Sequence, residues 1–389
     1  MKEFDEIRPY NDCEVPEVIA RMIADDELID LLLADFLSGV GKLFYPGLRP
    51  FLKVRLRHLC RNIDTVDMLQ QHLAIRLKSI LNRTTDGYSF SGLAGLKTNR
   101  SYVFMSNHRD IALDPAITIL GLVESGRDSL RIAIGDNLLS KPFASDLMRI
   151  NRSFIVKRSI VGQREKLRTL KVLSKYIRQS VCKEGVSIWI AQAEGRAKDG
   201  RDRTDTALLK MLALSRAKDQ NFASAINELN IVPVSISYEY DPCDADKARE
   251  VYIAKKGNPY VKTAFEDLET IKKGFIGYKG RVHVHYGSPC KIEDVGAENL
   301  AADIDDKIFF GYRLFPSNII AWQLLYDSLQ VSALKHSWPD EDWALAQAKF
   351  ENRIKALPEK HRDLVVRAYA SPVSDQLSSN QTRAQAFVG

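Results

Sequence analysis

Ser106-Asn107-His108-Arg109-Asp110-Ile111-Ala112-Leu113-Asp114-Pro115 is the stretch on which the reading of the fold turns. It follows an apolar run, Tyr102-Val103-Phe104-Met105, that reads as a buried strand, and it precedes Ala116-Ile117-Thr118-Ile119-Leu120, which reads as the start of a helix. A histidine with two nearby carboxylates therefore sits where a strand gives way to a helix, and strand ends are where rigid scaffolds present chemistry. A carboxylate beside a histidine fixes the ring tautomer and stabilises the imidazolium, which makes the pair an oriented general base. No Gly-x-Ser-x-Gly elbow occurs, so the pair lacks a serine nucleophile, and the hydroxyl it would activate belongs to a substrate. A plainer reading stands beside this one. Asn107 and His108 would cap the following helix, and Asp110 would be a first-turn acid favoured by the helix dipole.

Outward from this stretch, strand-like and helix-like segments alternate. The strands expected are Tyr102–Met105, Leu130–Ile134, Phe154–Val156, Val186–Ile190, Ile231–Tyr238 and Val282–Tyr286; the helices are Pro115–Val123, Arg164–Val181 and Thr206–Arg216. This order implies an α/β fold, a mixed and mostly parallel sheet flanked by helices, with helical regions at both ends of the chain. The divisions expected are an N-terminal helical region (1–95), an α/β domain (96–295), a C-terminal helical region (296–370) and a disordered tail (371–389), where Ser, Gln, Asn and Thr dominate.

Three further segments carry charge at strand ends. Phe154-Ile155-Val156 is a short strand with Arg149 and Arg152 before it and Lys157 and Arg158 after it; an arginine at a strand exit can hold a phosphate through paired hydrogen bonds. Ile188-Trp189-Ile190 runs into a turn at Glu194-Gly195, where glycine permits a tight backbone and presents Arg196, with Glu194 placed to hold it or a substrate hydroxyl. Lys198 to Asp205 reads mainly as a solvated charged loop, and its aspartates, spaced by three, do not fit a calcium loop. Ile231-Val232-Pro233-Val234 reads as a core strand, with Pro233 confining its start to a sheet edge or bulge. His283 and His285 share one strand face without a third metal ligand at recognisable spacing.

Composition narrows the classes. The chain has 389 residues, 45% hydrophobic and 27% charged, which is ordinary for a globular protein with a large core. A net charge of +6 suits anionic lipids or substrates and is too weak to argue for nucleic acid. Five scattered cysteines, Cys13, Cys60, Cys182, Cys243 and Cys290, argue for reduced thiols in a cytoplasmic setting and against a zinc framework. The acidic N-terminus is not a signal peptide, and no apolar run is long enough to span a bilayer.

In the N-terminal region, Leu28 to Arg61 supports two readings. One is an internal helical subdomain with a solvated basic face. The other is a platform at a membrane interface, with apolar side chains in the acyl boundary and Arg49, Lys53, Arg55, Arg57 and Arg61 near anionic headgroups, each contributing ~1 kcal/mol. The alternation from Phe51 to Arg57 favours a strand there. The C-terminal helices show no assignable chemistry.

Four of these segments, in this order, resemble the glycerolipid acyltransferase superfamily, which includes the glycerol-3-phosphate and lysophosphatidic acid acyltransferases. Ser106–Asp114 is similar to its Asn-His-x4-Asp block, although five residues rather than four separate His108 from Asp114. Phe154 to Arg158 is similar to Phe-Ile-x-Arg, with one extra residue if the arginine is Arg158 and a lysine in its place if it is Lys157. Gln192-Ala193-Glu194-Gly195-Arg196 resembles Phe-Pro-Glu-Gly-x-Arg, with Phe-Pro replaced and the arginine one place early; Ile231 to Val234 matches an apolar-Val-Pro-Val strand. The resemblance spans residues 95 to 290. It implies a general base, His108, supported by Asp114, with Asp110 as the alternative acid. It further implies a phosphate pocket of Lys157, Arg158, Glu194, Gly195 and Arg196, and neither metal nor cofactor. The implied reaction moves an acyl group from acyl-CoA or acyl carrier protein to glycerol 3-phosphate or lysophosphatidate in phospholipid synthesis. The implied setting is peripheral, on the anionic inner face of the cell membrane, with no nucleic-acid partner. A non-catalytic lipid-binding or scaffold protein on the same fold is the alternative.

Overall fold

A computed structural model describes residues 2–36, 45–139, 141–263, 265–293, 296–326 and 330–388. In chain order its elements are α1 (Val15–Ala24), α2 (Asp26–Phe36), α3 (Tyr45–Cys60), α4 (Val66–Thr84), β1 (Tyr88–Ser91), β2 (Val103–Ser106), α5 (Leu113–Glu124), β3 (Arg131–Gly135), α6 (Pro142–Ile150), β4 (Ser153–Val156), α7 (Gln163–Arg178), β5 (Ile188–Ala191), α8 (Thr206–Leu212) and α9 (Phe222–Asn227). They continue with β6 (Ile231–Tyr238), α10 (Asp244–Lys255), α11 (Glu266–Ile276), β7 (Val282–Tyr286), α12 (Ala297–Gly311), α13 (Pro316–Leu325), α14 (Gln330–Lys335), α15 (Trp343–Lys355) and α16 (Glu359–Val388). The chain divides into two compact units, Met1–Leu77 with Leu130–Tyr176, and Lys78–Ser129 with Ile177–Gly389. These divisions differ from a boundary at residue 95, because β1, at 88–91, is already a strand of the second unit's sheet.

In the first unit, Pro16 opens α1, as its missing N–H allows, and Val15 and Val18 pack on Ile63, Val66 and Ile150. Asp146 of α6 accepts from Tyr10 and from two nitrogens of Arg21, tying α6 to the N-terminus. Strands β3 and β4 pair in parallel. The segment from Phe51 to Arg57 is helical, not a strand. Beneath its apparent alternation, Leu48, Leu52 and Leu56 recur every four residues and pack on Ile29, Leu33 and Tyr45. Residues 37–44, within the expected platform, lie outside the described residues.

In the second unit five strands pair in the order β1-β7-β6-β2-β5. Strands β6, β2 and β5 run parallel, whereas β7, with β1 parallel to it, opposes β6. Every residue of β6 is buried, as its near-continuous apolar sequence demands of a strand covered on both faces. Pro233 lies in this interior strand rather than at an edge. It is tolerated because the antiparallel ladder with β7 begins only at Val234, paired with Tyr286. A separate core joins Ile320 and Ala321 of α13 to Phe350 of α15 and to Val365, Tyr369 and Ala370 of α16. Residues from Ser371 onward, expected as a disordered tail, continue α16, and Val373 and Asp375 are buried there. Their polarity matches partners in the fold: Gln376 donates to the carbonyls of Phe309 and Tyr312, and Ser379 donates to Asp306.

Candidate active site

The site forms at the carboxyl end of β2, between β5 and β6. Asn107 caps no helix: its side-chain amide donates to the Ile236 carbonyl at 3.0 Å and accepts from the Ile236 N–H at 2.8 Å, extending the sheet ladder by one side chain. That clasp on β6 fixes the start of the loop and aims the next residue, His108, off the strand end. The ring of Trp189 on β5 packs edge to face with the His108 ring, with centroids 5.6 Å apart.

His108 Nδ1 lies 2.9 Å from Asp114 Oδ2. The same oxygen accepts from the backbone N–H groups of Arg109 (2.6 Å) and Asp110 (2.9 Å), while Oδ1 accepts from the Tyr238 hydroxyl at 2.8 Å. Asp114 is fully buried in the first turn of α5, and these partners satisfy both of its oxygens. Burial, with the charges of Asp114 and Asp110, pushes the Tyr238 phenol well above its ordinary value, so Tyr238 stays a donor. With Nδ1 engaged, Nε2 is the nitrogen left for an incoming proton.

Asp110 does not meet His108. Its Oδ1 accepts from the N–H groups of Ala112 and Leu113, shaping the turn that leads into α5, and its other oxygen packs on the Cα of Gly274 in α11. Burial and then the Asp114 charge raise its carboxyl to about 6.

The loop after β5 is tied down on its inner side. Ala197 N–H donates to the His108 carbonyl at 2.9 Å, and Arg109 donates to the Gly200 carbonyl at 3.0 Å and to Asp202. Lys198, Asp199, Arg201, Arg203 and Asp205 are exposed, as expected of a mostly solvated loop, whereas Gly200, Asp202 and Thr204 turn inward and are buried. Gly195 has a φ of +80°, the left-handed conformation expected of that turn. Glu194 is exposed. The Arg196 side chain is only 7% exposed and lies 4.0 Å from Glu250 of α10, which also pairs with Lys198. Nη1 of Arg196 is buried with no hydrogen-bond partner among the described residues. Lys157 and Arg158 stand at the exit of β4 in the first unit. Lys157 pairs with Glu6, and the Arg158 guanidinium lies over Gly135, where a Cβ would meet it at 2.8 Å.

Other residues of the site escaped sequence reading. Lys247 of α10 is buried and donates to the Arg109 carbonyl at 2.6 Å and to Asp241. Burial raises the Asp241 carboxyl, but Lys247 overcomes this and holds it below its ordinary value. Nothing in the sequence signals Lys247 or Glu250, which reach the site from a helix inserted between two strands. Tyr238 had a weak signal, as the last residue of a core strand. His283 and His285 form no metal site: Ser89 and Ser91 bond both nitrogens of His283, and Ser91 also bonds His285 Nδ1. Among the described residues no cluster of three or more His, Cys, Asp or Glu could hold a metal ion, and no helix is long and apolar enough to cross a membrane.

Residues 88–237 match the sequence model of a family described as Acyltransferase. The four segments singled out in the sequence, from Ser106 to Val234, all fall inside it. Among solved structures, the crystal structure of the 1-acyl-sn-glycerophosphate (LPA) acyltransferase PlsC from Thermotoga maritima is similar at 14% identity, covering 73% of this chain and 95% of that one, with a TM-score of 0.35. Comparison with curated proteins finds no match.

Proposed function

We propose, from the match of residues 88–237 to the Acyltransferase family model, that this protein transfers a fatty acyl group from an acyl thioester to a hydroxyl of glycerol 3-phosphate or lysophosphatidate. The observation that carries the reading is the bond between His108 Nδ1 and Asp114, which orients a histidine at a strand end and leaves Nε2 to act on a substrate hydroxyl. Nε2 takes the proton of the acceptor hydroxyl, and the alkoxide oxygen bonds to the thioester carbonyl carbon. The C–S bond then breaks, and the departing thiolate takes the proton back from the imidazolium. Asp114 stabilises the imidazolium between these steps.

Arg196 and Lys198 supply the positive charge nearest to His108 along the loop. In the structure they face Glu250, so an acceptor phosphate would exchange with this carboxylate as their partner. Lys157, Arg158, Glu194 and Gly195 enter the proposal on the motif resemblance.

The donor is acyl-CoA or acyl carrier protein, and the setting is the anionic inner surface of the cell membrane. Phe51, Val54 and Leu59 project from α3, with Phe51 76% exposed, and Arg55, Arg57 and Arg61 are exposed near them in sequence. This pattern supports an interfacial platform. Arg49 and Lys53 contribute less to it, because both pair with acids of α2.

The test is transfer from a labelled long-chain acyl-CoA, and separately from acyl carrier protein, to each of the two acceptors. A labelled ester formed with one acceptor supports the reading and names the step. Thioester consumption that never depends on either acceptor contradicts it.

A further inference from the structure

The outer side of the 194–205 loop rests on α16. Gly200, at the loop tip, has a φ of +78°, and a Cβ built on it would lie 2.0 Å from the Ala368 carbonyl oxygen. No side chain fits between the loop and the helix at that point. Ser371 donates to the Asp199 carbonyl at 2.9 Å, and Arg203 donates to the buried Asp375 at 2.9 Å. Thr204 donates twice to Asp305 of α12, and Asp205 N–H closes the loop on the Gln192 carbonyl. The inner side of the same short tip takes the Arg109 guanidinium, which also stacks over Tyr312, and Ala197 takes the His108 carbonyl. The tip is therefore a rigid spacer with α16 on one side and the residue after the histidine on the other.

We infer that α16 is a positioning element of the acyl-acceptor site, and that it acts through Gly200 to hold Arg196 and Lys198 at a fixed distance from His108. The inference rests on the acyl-transfer reading above. It assigns a role to the C-terminal helices, which meet no reacting atom themselves. Any displacement of the tip away from α16 moves the two cations relative to the base. The acyl donor does not depend on that spacing, so acceptor binding is the parameter that responds.

The test compares the full-length wild type with Gly200→Ala and with Asp375→Asn, the second keeping side-chain shape while removing the charge that holds Arg203. Michaelis constants for acceptor and donor, kcat, the thermal midpoint, and the rate of trypsin cleavage after Lys198, Arg201 and Arg203 are measured. The expected result is an acceptor KM raised at least five-fold, with donor KM within two-fold and cleavage in the loop faster by about ten-fold. Asp375→Asn is expected to keep the wild-type thermal midpoint, so the result survives if Gly200→Ala does not fold. An active wild type beside variants with unchanged acceptor KM, or with unchanged loop cleavage, overturns the inference and leaves the acyl-transfer reading intact. A folded Asp375→Asn that loses kcat while acceptor KM stays at the wild-type value overturns it too. A wild type inactive with both acceptors overturns both.

Discussion

Asp114 lies six residues after His108 and meets it at 2.9 Å, while Asp110, only two residues away, faces the other direction into the backbone turn before α5. Sequence proximity is a poor guide here because the turn reverses the chain between them. The buried N–H groups of Arg109 and Asp110 converge on Asp114, so the loop is built around that carboxylate.

Asp114→Asn is accordingly expected to lower kcat/KM by about 10²–10⁴ in an acyl-transfer assay, since an amide cannot stabilise the imidazolium. One amide also cannot accept from all the donors that now converge on the site, so chemical denaturation would show a loss of stability as well.

Tyr238→Phe leaves Oδ1 of Asp114 buried and short of its side-chain donor. A stability loss of about 1–3 kcal/mol is expected from urea melts. Activity would fall about ten-fold, less than for loss of the carboxylate, because the His108 bond uses the other oxygen.

Asp110→Asn separates the two acids. Asparagine still accepts from Ala112 and Leu113, so acyl transfer would stay within a few-fold of wild type. The folded-state carboxyl, raised to about 6 by burial and Asp114, binds a proton more tightly than the unfolded one. Its ionisation therefore costs stability, and this cost grows as pH rises from about 4 to 6, reaching up to about 3 kcal/mol. The variant is expected to be more stable than wild type in urea melts at pH 7.5, with the margin vanishing below pH 4. A margin that is constant with pH would contradict this.

His283 supplies the opposite slope. Burial, then Arg313 and His285, lowers its imidazole to about 4. Between pH 6.5 and 4 the unfolded chain binds the proton and the folded chain does not, so stability falls with pH through that window, by about 3 kcal/mol from this side chain. In His283→Gln this share of the acid sensitivity is absent, which parallel denaturation series at pH 7 and pH 4.5 would show as a shallower decline.

Most strands of both units were legible because they are short, apolar and bounded by turn residues. β6 and β7 have the predicted limits, and β2, β3, β4 and β5 lie within two residues of theirs. β1 was missed because Tyr88-Ser89-Phe90-Ser91 carries too few apolar residues to stand out. It is stabilised by pairing with β7 and by its serines bonding His283 and His285. Phe51 to Arg57 shows how a local alternation yields to a longer period when Leu48, Leu52 and Leu56 find a shared core. At the site, His108 and Asp114 were readable because they are close in sequence, whereas Glu250, Lys247 and Gly200 act through partners far along the chain. Polar residues past Ser371 read as a tail because their hydrogen-bond partners, such as Phe309 and Asp306, are invisible in a linear pattern.

The most direct test of the account is the rate of acyl transfer by His108→Ala against wild type, with the better of the two acceptors and saturating long-chain thioester. The account predicts a fall of at least 10²-fold in kcat, with the folded state and thioester binding retained. A His108→Ala enzyme that keeps more than a tenth of the wild-type rate would show that the base lies elsewhere and would contradict the mechanism.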